Sequence, residues 1–282
     1  MRRDDGPSET EGRLETVGLV PAALARALAS AGRVVVLTGA GVSAESGIPT
    51  FRDALTGLWA RYDPLDLATP AAFERQPRLV WDWYAMRREA VLVARPNAGH
   101  DALVEMERRV PAFLVATQNV DGLHARAGTR SLVELHGNIA RVRCSRDHGV
   151  VDRWDPPPSD EPPRCPHCRA FLRPDVVWFD EMLPADALAR AEDAARRADL
   201  MIVAGTSAEV HPAASLPLMA KAAGALVVEV NPRETPLSRL AGHTLRERAG
   251  VALPALVAAA WPDGGHGRGS SPTARAPGGG AK

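Results

Sequence analysis

Gly39-Ala40-Gly41 stands directly behind the apolar run Val34-Val35-Val36-Leu37. Neither glycine has a side chain to keep backbone N–H groups from a phosphate. A tight turn is the ordinary alternative, and Ala44 breaks the strict G-x-G-x-x-G pattern at its third position. The following Glu45-Ser46-Gly47-Ile48-Pro49-Thr50-Phe51-Arg52 carries charge, hydroxyls and a lone aromatic, as a cover over a bound ligand would. Gln118-Asn119-Val120-Asp121 offers amides and a carboxylate suited to a ribose or a carboxamide, with an Asx turn as the alternative for any one of them. His136, between Leu135 and Gly137, supplies an imidazole able to take a proton from a hydroxyl near neutral pH. Cys165-Pro166-His167-Cys168 places two thiolates one turn apart, half of a tetrahedral zinc site. Cys144 adds a third ligand, and the fourth stays open among His148, Asp147, His167 and water. Because the cleft motifs lie elsewhere in the chain, the ion is expected to be structural. Tyr84 and Arg87 share a helix face and can together grip a carboxylate; the alternative is a solvated arginine beside a core aromatic.

Elements of a recognisable kind must position these groups. Short apolar runs recur at 34–37, 113–116, 132–135, 201–204 and 226–230, as in strands buried on both faces. Helical segments are expected at 22–31, 185–197 and 212–223, with proline at the start and glycine beyond the end in the first and last. The alternation predicts an α/β fold, a Rossmann-like doubly wound parallel sheet with right-handed crossovers. The motifs then fall at the carboxyl ends of the strands, where such sheets bind ligands. Two stretches break the rhythm: a helical insert at about 52–97 and a small zinc-binding module at about 141–172. Residues 1–12 and 263–282 read as disordered tails around a domain spanning 13–262.

Composition narrows the function. The 282 residues carry 34 Lys+Arg against 34 Asp+Glu, a formal charge of zero, with 45% hydrophobic content. That balance argues against nucleic acid or an anionic membrane as partner. No apolar run approaches the roughly 18 residues of a spanning helix, and the charged N-terminus has no signal-peptide core. A cytoplasmic protein, acting as a monomer, is expected. Three cysteines cannot pair completely, which suits metal binding in a reducing compartment.

Taken together, Gly39 through Arg52, Gln118 through Asp121, Leu135-His136-Gly137, Gly205-Thr206-Ser207 and Val230-Asn231 resemble the sirtuins, NAD-dependent protein lysine deacylases, over roughly 25–261. Ala68-Thr69-Pro70-Ala71-Ala72-Phe73 and the Tyr84/Arg87 pair are similar to the bacterial class III type, which removes succinyl and malonyl groups. The resemblance implies that NAD lies against Gly39, Ala40, Gly41, Ser43, Ala44, Glu45, Gly47 and Ile48, under a loop bearing Phe51, Arg52 and Trp59. Gln118, Asn119 and Val120 would follow the nicotinamide ribose and Asp121 the carboxamide. Gly205, Thr206, Ser207, Asn231, Arg233 and Ala249 would meet the adenosine half. It further implies His136 as general base with Asn119 beside it, and an acyl-lysine protein substrate against Tyr84, Arg87, Ala68 and an extended strand with Val177, Trp178 and Phe179. Zinc would sit on Cys144, Cys165 and Cys168; the family's fourth cysteine is missing here, and His148 is taken from the open set as fourth ligand. The acyl oxygen attacks the ribose carbon as nicotinamide leaves, His136 frees a ribose hydroxyl to attack in turn, and water completes transfer to O-acyl-ADP-ribose. A non-catalytic NAD sensor and an ADP-ribosyltransferase are the competing readings. Asp180 replaces the family's usual glycine, and His211 its usual tyrosine.

Overall fold

In a computed structural model, which describes residues 18–49, 63–146, 149–153 and 161–262, the apolar runs become strands. These are β1 (Arg33–Thr38), β2 (Ala112–Thr117), β3 (Leu132–Glu134), β4 (Gly137–Cys144), β5 (Leu172–Val176), β6 (Leu200–Ala204), β7 (Leu226–Val230) and β8 (His243–Leu245). Six form one parallel sheet in the order β3-β2-β1-β6-β7-β8; β4 and β5 pair antiparallel. The helices are α1 (Ala22–Ser30), α2 (Pro70–Arg75), α3 (Pro77–Val93), α4 (Ala98–Arg109), α5 (Leu123–Ala127), α6 (Ala185–Arg197), α7 (Leu216–Ala222) and α8 (Ala249–Ala260).

The side-chain alternation of a strand sends Val34 and Val36 to one face, with Leu24 and Leu28 of α1, Leu103 of α4 and Leu253 of α8. Val35 and Leu37 go to the other, with Ala191 of α6 and Leu216 of α7. Helices cover both faces, so the large sheet is doubly wound as the alternation of elements implies. The helical layer α2 and α3 packs instead on the small sheet, through Phe73, Val80, Trp83 and Tyr84 against Ile139, Val176 and Trp178.

Several boundaries differ from expectation for identifiable reasons. The helix expected at 212–223 is a 3-10 turn, Ala213–Ser215, running into α7. The strand expected at 176–179 stops at Val176. Beyond it the Trp178 N–H donates to the Glu181 carboxylate, turning the chain through Asp180 at φ 67. Asp is among the few non-glycine residues that tolerate that region, which is how it stands in for the usual glycine. The strand β4 escaped notice because Asn138, Arg141 and Arg143 interrupt its apolar pattern, as on a half-solvated antiparallel strand. The tails at 1–12 and 263–282 lie outside the described residues. Among the described residues no helix is long and apolar enough to cross a membrane.

Candidate active site

The chain proceeds from β1 outward to β3 on one side and from β6 outward to β8 on the other, so the loops after β1 and β6 part at a switch point. They are also clamped together: Gly39 N donates to Ala204 O at 3.0 Å and Gly41 N to Gly205 O at 2.8 Å. At Gly205, with φ +61, a Cβ would lie 2.4 Å from Val42 N; at Gly39 it would lie 2.7 Å from the Thr206 Cβ. The glycines are therefore demanded by the neighbouring loop as well as by any phosphate. Ala40 and Ala44 open two short 3-10 turns, Ala40–Val42 and Ala44–Ser46, and Gly47 closes the second at φ 77. Ile48 packs on the aromatic cluster of α2 and α3. Glu45 points away from the loop, its carboxylate accepting from Gly250 N at 2.7 Å beside the buried Ala249, at the electropositive start of α8.

Gln118 through Asp121 form a second layer beneath this loop. The Asn119 amide is buried and donates to Gly39 O at 3.1 Å and Ser43 Oγ at 3.2 Å. Ser43 Oγ donates to Asp121 Oδ2 at 2.7 Å, and Asp121 Oδ1 accepts from Leu123 N at 2.8 Å. Gln118 Nε2 reaches Thr206 Oγ1 at 3.1 Å, joining the β2 loop to the β6 loop, while Val120 O accepts from Ile139 N at 2.8 Å. Asn231 closes the far end, its amide donating to Thr206 O at 2.9 Å and its Oδ1 accepting from Arg233 N at 3.1 Å. Ser207 is exposed beside them.

His136 follows β3, and its ring is bonded to the β2 loop. Its Nδ1 lies 3.0 Å from Gln118 O, and a carbonyl can only accept, so Nδ1 carries the proton and the neutral ring leaves Nε2 as a base. Burial pushes the imidazole below its ordinary value, against the bond to Gln118, which raises it. The ring is thus neutral at pH 7. Its own carbonyl accepts from Val177 N at 2.9 Å, and Phe179 N donates to Ala68 O at 2.9 Å. These bonds align the 177–179 segment between the base and the α2 layer.

In that layer Tyr84 is 3% exposed, with Ala68 and Ala72 small and buried in the same cluster. Burial raises the Tyr84 phenol to about 12, with Arg87 the largest opposing influence. The Arg87 guanidinium stacks 4.6 Å above the Trp83 ring and 5.7 Å from that of Tyr84. Behind them Arg173 lies 3.4 Å over the Trp178 ring and forks onto Glu181.

The thiols of Cys144, Cys165 and Cys168 converge, all within 4.8 Å of one another. The Cys168 backbone N–H holds the Cys165 thiol below its ordinary range, against burial, with further help from His167 and the other two thiols. Three converging soft donors fit zinc. Phe51, Arg52, Trp59 and His148 lie outside the described residues.

Sequence reasoning passed over the residues that brace this arrangement. Asn97 caps α4 and donates to Val42 O and Ser46 Oγ, each at 2.9 Å; an Asn before a helical segment was the available signal. Thr38 Oγ1 bonds Thr117 Oγ1 at 2.8 Å and His124 Nε2 at 2.9 Å across the strand ends. A threonine ending each of two apolar runs marked that position.

The Sir2 family pattern matches residues 39–212. An NAD-dependent protein deacylase of Aquifex aeolicus is 51% identical over 220 residues, covering 78% of this chain and 92% of its own length. Another, from a strain of Thermus thermophilus, is 55% identical over 235 residues, covering 80% and 90%. A solved Sir2 homologue–NAD complex superposes with a TM-score of 0.81 at 48% identity, covering 86% of this chain and 94% of the other. A Sir2–p53 peptide–NAD+ structure gives 0.71 at 32% identity, over 84% and 95%. Sheet order, clamped glycine loops and sequence identity along most of the chain all agree: the chain belongs to the Sir2 family.

Proposed function

We propose that the protein is an NAD-dependent protein lysine deacylase that passes the acyl group from lysine to ADP-ribose. The observation that carries this reading is His136, held as a neutral Nε2 base by Gln118 O at 3.0 Å, in the crevice lined by Asn119 and the glycine loops. NAD would lie along Gly39–Gly47, Gln118–Asp121, Gly205–Ser207, Asn231, Arg233 and Ala249, with Phe51, Arg52 and Trp59 over it. When bound it supplies the ADP-ribose acceptor and the nicotinamide leaving group.

The chain's own groups do the rest. Asn119 is immobilised by Gly39 and Ser43, so it can orient a sugar without reorganising. The Nε2 of His136 takes a proton from a hydroxyl held against it, and the aromatic layer behind keeps water out. An extended acyl-lysine peptide would lie beside 177–179, whose N–H groups are committed to His136 O, Glu181 and Ala68 O, so this segment has carbonyls rather than N–H groups to offer it. Cys144, Cys165 and Cys168, with His148 as fourth ligand, would hold one structural zinc.

A preference for succinyl and malonyl over acetyl rests on Tyr84 and Arg87. A protonated phenol and a stacked guanidinium on one helix face match a carboxylate by a hydrogen bond and an ion pair. The three free thiols suit a reducing compartment, and the zero formal charge argues against nucleic-acid or membrane partners; a cytoplasmic monomer is the accompanying proposal. The test follows nicotinamide release from matched acetyl- and succinyl-lysine peptides for wild type, His136→Ala and Arg87→Met. Loss of all turnover in the first variant and of succinyl turnover alone in the second is expected. NAD binding without release from either peptide would leave a sensor instead.

A further inference from the structure

We infer that Glu229 and Arg246 are positioning residues for the adenosine side of the site, a role that rests on the NAD-dependent reading above. Glu229 is the penultimate residue of β7 and 1% exposed, a carboxylate inside the sheet. Three groups serve it. Arg246 Nη1 lies 2.7 Å from Oε2, Ser238 Oγ donates to the same oxygen at 2.6 Å, and Thr235 Oγ1 donates to Oε1. Each hydroxyl must donate here, because an ionised carboxylate can only accept, and each also accepts one backbone N–H: Thr235 Oγ1 from Leu237 N at 3.1 Å, Ser238 Oγ from Thr235 N at 2.9 Å. Both protons are thereby aimed at the carboxylate.

Arg246 carries this order outward. The same Nη1 reaches Arg233 O at 3.1 Å and Asn231 O at 3.3 Å. Asn231 in turn fixes Thr206 O, and Asn231 N donates to Leu245 O at 3.1 Å. The loop after β7, which carries Asn231 and Arg233, is thus tied from within by one buried anion. Nothing in the pair touches the reacting end, since Asn119 and His136 are bonded to the loops of β1 and β2. The route from the pair to His136 runs indirectly through Asn231, Thr206 and Gln118, so the larger effect is expected on cofactor affinity and the smaller on the chemical step.

A glutamine at 229 has the right size and the wrong polarity, because its NH2 meets a committed donor. A lysine at 246 keeps the charge, but its ammonium ends about one bond short of the position from which Nη1 reaches all three oxygens. For folded Glu229→Gln and Arg246→Lys, the KM for NAD should rise about tenfold, while kcat and the peptide KM stay within about twofold of wild type. ADP-ribose should raise the Tm of either variant less than it raises that of wild type. A merely structural role would instead lower kcat in step with the folded fraction and leave the KM for NAD unchanged. Should Glu229→Gln not fold, Arg246→Lys decides, and an unchanged KM for NAD in that variant overturns the inference. Absence of NAD binding by wild type would overturn the deacylase reading, and this inference with it.

Discussion

At the scale of single residues, the site depends on two histidines kept neutral for different ends. His136 is held below its ordinary value by burial, so its basic form persists as the medium becomes mildly acidic. The acid limb of kcat/KM should have its midpoint below 6.5, and His136→Ala should lose about 10²–10⁴-fold in kcat with that limb abolished. A midpoint above about 7 would assign the limb to another group. His124 is a structural case: burial, with the nearby His100 adding to it, drives its pKa from 6.5 down to about 3. The unfolded chain accepts a proton that the folded chain refuses, so this contribution to stability is full above pH 6.5 and is lost as pH falls towards 3. The slope is about 1.4 kcal/mol per pH unit for one such group. Urea midpoints at about pH 7.5 and about pH 5 should show the loss, and His124→Gln should flatten it. Both histidines were visible in the sequence, but only His136 could be assigned, because its neighbours Leu135 and Gly137 mark a strand end. His124 lies in a short helix whose burial depends on partners as distant as Thr38.

At the scale of elements, loops meeting backbone to backbone set what each position tolerates. Gly205→Ala would place a methyl 2.4 Å from Val42 N in a left-handed conformation, so the two loops must part. A cost of about 2–3 kcal/mol or more is expected, with loss of NAD-induced stabilisation in thermal melts. Retention of both would show that the clamp is dispensable. The sequence disclosed the all-apolar strands with little error, since burial on both faces leaves a continuous signature. Helix α6 was legible to the residue from Pro184 and the run of alanines and charges after it. By contrast β4, β5 and α7 owe their limits to long-range bonds and to Pro217, which local pattern does not report. The roles of Asn97 and Glu45 were hidden for the same reason: each braces an element distant in the chain.

At the scale of the whole molecule, the small sheet and its thiols stand outside the large sheet yet bear on the site. Val177, immediately after β5, bonds the carbonyl of His136, so loosening the module frees that carbonyl. Chelation of zinc, or Cys165→Ser, should abolish turnover and release about one zinc per chain by metal analysis. Full activity in a zinc-free protein would sever this link. The strand order has one more consequence, for biosynthesis. Since β1 sits at the middle of the sheet between β2 and β6, a ribosome-bound chain that has emerged only through β3 presents β1 with one edge unpaired. That edge is a valine-rich template open to other nascent chains until β6 arrives. The last stitch, Glu45 to Gly250 across 205 residues, waits for nearly the entire domain to leave the tunnel. The cofactor cleft therefore closes only late in synthesis, after β6 and α8 have both emerged.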